Sequence, residues 1–416
     1  MFASFSTALS AMQADSTAVD VVGNNLANLN TDGFKESNAY FYDLVNEAMG
    51  AGQTQVGFGV GMPQTIREFS QGAIQSSNGP LDAAIQGQGF FVVQNGPTTQ
   101  YTRAGSFQVD LAGNLLTPTG QNVQGWTAVN GVVNTGGPIS NIVVPVGSMQ
   151  TPTATTSLSL NANLDASAAT GATSDWSTTI QIYDSLGNSH VLTMDFQKSD
   201  VNKWTYTLSL PGTDLTSGTA GTPSQVATGT LVFNPDGTLN TPAPGSPITF
   251  DIAGLSDGAN DIKGLTWNLY GAGGATGDIT QYGQSSAAQA NSQNGNAAAQ
   301  LTQVTMGNGG QLLATYSNGT QMVVGQLAMA SIRNPESLIA VGNNDYQVSA
   351  LTAPPVIGAP GTGGRGTVVG GALEASNVDI ATEFTNLIVL QSAYQANSKV
   401  VTTSNQLAQD TTNLIT

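Results

Sequence analysis

Phe5-Ser6-Thr7-Ala8-Leu9-Ser10-Ala11-Met12 begins a pattern that runs over residues 2–30 and sets how the whole chain is read. Large apolar side chains fall at Phe2, Phe5, Leu9, Met12, Val19 and Leu26, mostly three or four residues apart, with Ser16 and Gly23 as the weak positions. Such spacing follows one turn of helix, so these side chains share a narrow stripe. The other terminus carries a matching pattern. Ile380, Leu387, Tyr394 and Val401 recur every seven residues, with Phe384 between the first two. Val400, Leu407 and Leu414 form a neighbouring row with the same repeat. Heptads of this kind suit a helix that buries a stripe against another helix. The stretch between reads as β-structure and offers neither stripe a place to bury itself. The pattern predicts helices within 1–30 and 376–416 that pair with each other and with copies of the chain.

Composition narrows the class. A chain of 416 residues exceeds one ordinary core, so two or three domains are expected. The 26 acidic against 9 basic residues give a net charge of -17, which argues against nucleic acid and anionic membrane as partners. Only 8% of residues are charged, so the surface must be built largely from Ser, Thr, Asn, Gln and Gly. Contacts between copies then rest on packing and neutral hydrogen bonds, which tolerate salt well. Cysteine is absent, which excludes disulfides, thiolate metal sites and thiol catalysis. No basic stretch followed by an apolar core opens the chain, and no run of 18 apolar residues occurs, so neither a cleavable secretory signal nor a membrane-spanning helix is expected.

The order along the chain is nested. The first helix should end within 28–31, where Asn residues and then Asp32-Gly33 break the stripe, because Gly33 can take the positive φ that closes a helix. Residues 31–72 read as an extended connector with short strands, and 43–55 is not minimal. A core β-domain is expected from 73–146 and 283–375. Phe90-Phe91-Val92-Val93 is its buried run, Asp110-Leu111-Ala112-Gly113-Asn114 a turn, and 138–146 a further strand. Residues 147–282 read as an inserted β-domain. Thr179-Ile180-Gln181-Ile182-Tyr183 and Val191-Leu192-Thr193-Met194-Asp195-Phe196 alternate as strands there, joined by the turn Asp184-Ser185-Leu186-Gly187-Asn188. The Thr-, Ser- and Ala-rich stretch 151–173 precedes these strands, and the polar run 284–300 reads as the way back to the first domain. The fold class is therefore multidomain and mainly β, with long α-helical termini.

Four segments resemble the bacterial flagellar rod and hook axial proteins. The first is Asn24-Asn25-Leu26-Ala27-Asn28-Leu29-Asn30-Thr31-Asp32-Gly33-Phe34-Lys35. The second runs from Leu81-Asp82-Ala83-Ala84 through Gly89-Phe90-Phe91-Val92-Val93, and is followed by Tyr101-Thr102-Arg103-Ala104-Gly105-Ser106-Phe107. The third and fourth are Glu374-Ala375-Ser376-Asn377-Val378-Asp379 and Tyr394-Gln395-Ala396-Asn397-Ser398-Lys399. Rod members of the family resemble this chain without its middle domain, so the insertion at 147–282 implies a hook-type subunit, with a distal rod subunit as the alternative. The resemblance implies a curved, bendable helical tube, lined by the terminal helices and sheathed by the β-domains, that carries torque from motor to filament. It further implies an extracellular location, flagellar type III export, and contacts with itself, the distal rod protein, the hook cap and the hook–filament junction proteins. The interface residues are then Phe5, Leu9, Met12, Val19, Leu26, Ile380, Phe384, Leu387, Tyr394, Val401, Leu407 and Leu414. The family motif lies on Asn24, Asn25, Leu26, Asn28, Asn30, Thr31, Gly33 and Phe34.

Chemistry-bearing patterns are sparse. Gly361-Thr362-Gly363-Gly364-Arg365-Gly366 matches the dinucleotide fingerprint, but it precedes a strand where that mechanism needs a helix. Asn234-Pro235-Asp236-Gly237 is a turn without the further acidic ligands of a calcium loop. His190, the single histidine, sits beside a predicted hairpin turn and reads as solvated. No nucleophile elbow accompanies it. No catalytic, cofactor or metal site is expected, and a β-rich adhesin or carbohydrate-binding protein with helical ends is the reading from another class.

Overall fold

The computed structural model describes residues 2–45, 57–171, 176–271, 274 and 277–415. Most of the 43–55 stretch, residues 46–55, lies outside them, as does the side chain of Leu414. Two compact units divide the chain: 1–146, 303–315 and 321–416 form one, and 147–302 with 316–320 the other.

In the first unit the N-terminal stripe folds as helix α1, Phe2–Ala27, and the C-terminal one as helix α2, Ile380–Ile415. Turn-type backbone bonds, Asn28 N to Asn25 O and Thr31 N to Asn28 O, wind α1 down, and Gly33 follows at φ 68°. A Cβ at Gly33 would lie 2.6 Å from the backbone nitrogen of Ala104, so conformation and close approach both require glycine. Asp379 opens α2 by accepting the backbone N–H of Thr382 at 2.8 Å, an N-cap that holds its carboxyl below the usual range. The connector forms strands as expected: Ser37–Tyr40 pairs antiparallel with Gln64–Arg67, and Asp43–Val45 with Gly57–Val60.

Gln311–Tyr316, Gln321–Leu327, Asn122–Thr127, Phe90–Asn95, Thr98–Thr102, Asp345–Gln347 and Ile339–Gly342 follow one another across the β-sheet of this unit. Phe90, Val92, Tyr101, Trp126 and Tyr346 form a core cluster, where Phe69, Phe90 and Tyr346 meet edge to face with centroids 5.2–6.0 Å apart. The Asp110 turn closes as expected through Asn114 N to Asp110 Oδ1 at 2.7 Å. The expected strand over 138–146 shrinks to Ser140–Asn141, beyond which Ile142 and Val144 point into the core.

The second unit is a β-sandwich. One sheet runs Trp176–Tyr183, Ser189–Asp200, Lys203–Pro211, Pro223–Phe233 and Leu239–Thr241, all antiparallel. The other centres on Ser157–Asp165, which pairs with Ile262–Asn268, Ile279–Tyr282 and Ala287–Gln293. Leu158, Leu160, Leu164, Ile180, Leu192, Met194, Phe196, Trp204 and Trp267 fill the space between them.

Two readings of this unit change. Residues 151–173 do not merely precede the strands: Leu158, Leu160, Ala162 and Leu164 alternate inward within Ser157–Asp165, an alternation hidden in the sequence among small polar residues. The polar run at 284–300 is not a plain connector either, because Ala287–Gln293 joins the sheet by its backbone while its side chains stay largely exposed. A strand held by main-chain pairing alone leaves no apolar period to read.

Candidate assembly interface

Three of the four motif segments, scattered along the sequence, meet in one buried clasp, while the fourth, 394–399, lies further along the C-terminal helix. Lys35, just beyond the Gly33 turn, places its Nζ 2.6 Å from Glu374 Oε1 and 2.6 Å from the carbonyl of Ser70. Arg103 approaches the other carboxylate oxygen at 3.2 Å and lies over the Phe90 ring, 5.3 Å from its centroid. Gly72 N donates to Glu374 Oε1 at 3.0 Å, and the Glu374 carbonyl accepts Gly33 N at 2.7 Å. Asn377 completes the clasp. Its Oδ1 accepts Glu36 N at 2.7 Å and its Nδ2 donates to Glu68 O and Ser70 Oγ. Burial pushes the Lys35 and Arg103 pKa values down, and the Glu374 charge opposes that in both. The chain leaving α1 and the chain about to form α2 are thus fastened to the same carboxylate.

α1 and α2 then run side by side, antiparallel, with amide–carboxylate bonds marking two levels. Asn25 Nδ2 donates to Glu383 Oε1 at 3.1 Å, and Asn397 Nδ2 donates to Asp15 Oδ2 at 3.0 Å. Asn25 also pairs with the backbone of Ser37 through both ends of its amide, at 2.9 and 3.0 Å. Glu383 is 3% exposed, and its Oε2 has no hydrogen-bond partner. Burial raises its carboxyl pKa, against the bond from Asn25.

The inward row of α1 is Ala8, Ala11, Asp15, Ala18, Val22 and Asn25, with alternating three- and four-residue spacing. On α2 the inward positions are Glu383, Leu387, Leu390, Asn397 and Val401. Of the residues expected at the interface, Leu387 and Val401 lie on this inner side, and Met12, Val19 and Leu26 are half-buried beside it. Phe5, Leu9, Ile380, Phe384, Tyr394 and Leu407 stay exposed, Phe384 at 50%. Ile388 and Val389, which the heptad reading passed over, are exposed above 60%. A reading that follows bulk selects the outer row, because the inner seam is made of alanine and amides. Their spacing was the available signal, and small side chains let helix axes approach closely.

Among the motif residues, Asn25, Gly33 and Phe34 are buried. Asn28 Nδ2 binds Asn24 O at 2.9 Å and Asn28 Oδ1 accepts the Thr31 hydroxyl at 3.2 Å, while Asn30 is exposed. The glycine-rich 361–366 segment is a loop closed by Gly361 N to Gly366 O at 2.8 Å and followed by the strand Thr367–Gly370. His190 is not solvated: it is buried in the sandwich, ringed by Asp184, Asp214 and Asp257 that fold in from separate turns.

Two helices that close on each other through small and amide side chains and turn a large apolar row outward define a class, the subunit made to pack against its own copies. Family models agree in order along the chain: flagella basal body rod protein at 5–35, flagellar hook protein FlgE/F/G D1 domain at 84–163, flagellar basal body protein FlaE D2 domain at 150–296, and flagellar basal body rod FlgEFG protein C-terminal at 369–414. The chain belongs to the flagellar hook protein family. It is 34% identical to the flagellar hook protein FlgE of Treponema pallidum, with 98% of each chain covered. It is 32% identical to that of Borreliella burgdorferi over 99% of each, and 31% identical to that of Escherichia coli over 99% of each. The solved structure of Helicobacter pylori flagellar hook protein FlgE2 shares the fold, with a TM-score of 0.52 at 15% identity, covering 71% of this chain and 99% of that one. These relatives favour the hook over the distal rod and adhesin readings. Hook membership places the protein in the extracellular part of the flagellum. No described helix is long and apolar enough to cross a membrane.

Proposed function

We propose that the chain is the repeating unit of a curved, bendable tube that carries torque from the motor to the filament, and that it has no catalytic role. The observation that carries this reading is the set of large apolar side chains exposed on the helix pair, Phe5, Leu9, Phe384, Ile388, Val389, Tyr394 and Leu407, which a subunit by itself leaves in water. Packed against neighbouring copies, these side chains line an inner helical layer around an export channel. A polar β-surface with few charged side chains lets subunits shift past one another without breaking strong ion pairs. The partners are other copies of the chain, the distal rod protein below, the hook cap during growth, the hook–filament junction proteins above, and the type III export apparatus. Nucleic acid and membrane are not among them.

Electron microscopy of the purified full-length chain, beside a version lacking 1–30 and 376–416, tests the assignment. Curved hollow tubes from the full-length chain alone are expected. Straight stiff tubes would return the reading to a rod subunit, and a permanent monomer would remove its basis.

A further inference from the structure

A carboxylate–histidine cluster in the inserted sandwich lies outside the helix pair and its clasp. Asp184 opens the turn before the Ser189–Asp200 strand. His190 stands one residue inside that strand, Asp214 ends the short 3-10 turn Gly212–Asp214, and Asp257 lies in the loop before the Ile262–Asn268 strand. Three carboxylates from separate turns therefore converge on the His190 ring. His190 Nε2 lies 3.4 Å from Asp184 Oδ2 and 3.4 Å from Asp257 Oδ2, and all three atoms fall within 4.8 Å of one another. The other ring nitrogen, Nδ1, is 3.0 Å from Asp214 Oδ2.

We propose that His190 Nε2, Asp184 Oδ2 and Asp257 Oδ2 form a binding site for a divalent transition cation of the zinc type, with Asp214 holding the imidazole in the tautomer that presents Nε2. The spacing supports it. In a tetrahedral zinc site with bonds of about 2.0–2.1 Å, neighbouring ligand atoms stand about 3.3 Å apart, and two edges here are 3.4 Å. Two carboxylate oxygens face the one ring nitrogen, and a bound cation needs such a set of converging lone pairs. The arrangement carboxylate, histidine, open point is also the one in which metal-bound histidines are oriented by a second carboxylate. Asn188 Nδ2 donates to Asp184 Oδ2 at 3.3 Å and to Asp257 Oδ2 at 3.0 Å, steadying both ligand oxygens while leaving each a further lone pair. One nitrogen and two oxygens suit zinc better than calcium, which takes oxygen ligands alone in larger number.

Equilibrium dialysis of the full-length chain against Zn2+, with bound metal quantified, tests the site. The expected result is about one saturable zinc per chain, lost in His190→Ala and in Asp257→Asn, with Asp214→Asn weakened about 10- to 100-fold. Asp257 is partly exposed, so Asp257→Asn is the variant expected to melt like the parent without metal. Visible absorption of Co2+ in place of zinc should give tetrahedral bands in the parent and none in Asp257→Asn. Zinc retained at full stoichiometry in both His190→Ala and Asp257→Asn, saturable calcium binding in preference to zinc, or no saturable zinc at millimolar concentration would each overturn the proposal, leaving the three carboxylates as partners of a charged imidazole only.

Discussion

The inserted sandwich and the terminal helices treat apolar side chains in opposite ways. In the sandwich Trp204, Trp267, Phe196 and Leu192 are withdrawn from water, and alternation along each strand sends polar residues out. On the helices the inner seam is small or polar, and Phe384, Ile388 and Leu407 stay in contact with solvent. The sandwich completes its core with its own residues. The helix pair is fastened by amide–carboxylate bonds and leaves large apolar side chains unpacked. The side chains that fill the cores are thus different from those left exposed on the helices, and the two sets can be changed separately.

The largest separation should come from the clasp. Glu374→Ala leaves Lys35 and Arg103 as buried, uncompensated cations and should destabilise the unit that carries both helices by about 3–5 kcal/mol. Chemical denaturation should show that transition moving alone, with the sandwich transition in place. A single shifted transition for the whole chain would mean that the two units do not unfold separately.

Trp204→Ala is the complementary break. It empties a fully buried position, removes the bond from Nε1 to Gln281 at 3.0 Å, and should cost the sandwich about 3–5 kcal/mol. Tube formation by the folded fraction should persist below the new melting point, and its loss there would show that sandwich packing is needed for assembly.

A smaller effect concerns pH. Glu383 has a raised carboxyl pKa in the folded chain, so the folded state binds its proton more tightly than the unfolded one. Its contribution to stability is fully present below the unfolded value of 4.5 and is lost as pH rises through the raised folded value. Glu383→Gln should therefore raise Tm at pH 7 relative to the parent, with the gap narrowing toward pH 4.5. A gap that does not change with pH contradicts this sign.

The smallest expected change is Ile388→Ser measured on the dissociated chain. An exposed side chain that touches nothing essential should alter unfolding by less than about 0.5 kcal/mol. The same substitution should weaken tube formation strongly in a sedimentation assay. Equal tube yield from parent and variant would remove Ile388 from the contact surface.

Much of this division was legible in the chain. The heptads placed both helices, Asp32-Gly33 placed the end of the first, and alternation at 191–196 placed a sandwich strand. What escaped was set by partners distant in sequence. Asn25 reads as a cap residue until Ser37 and Glu383 fold against it. Ala18 carries no bulk to mark it as buried, although its spacing fits the seam. Ala287–Gln293 becomes a strand because a neighbour offers unpaired backbone. His190 is buried by turns that lie 24 and 67 residues further on, at Asp214 and Asp257, and a single sequence gives no sign of that meeting.

The strands at the edge of the inserted unit carry one more consequence. Met149 pairs with Gln300 and Gln150 with Ala299, while Thr153 and Asn296 form a further bridge. The chain therefore goes in and comes out on adjacent strands, about 5 Å apart. A stretch of roughly 150 residues hangs on a doorway that a tight reverse turn could close. Such a doorway is the geometry a cassette needs: the framing strands keep their pairing whatever length of chain the doorway carries.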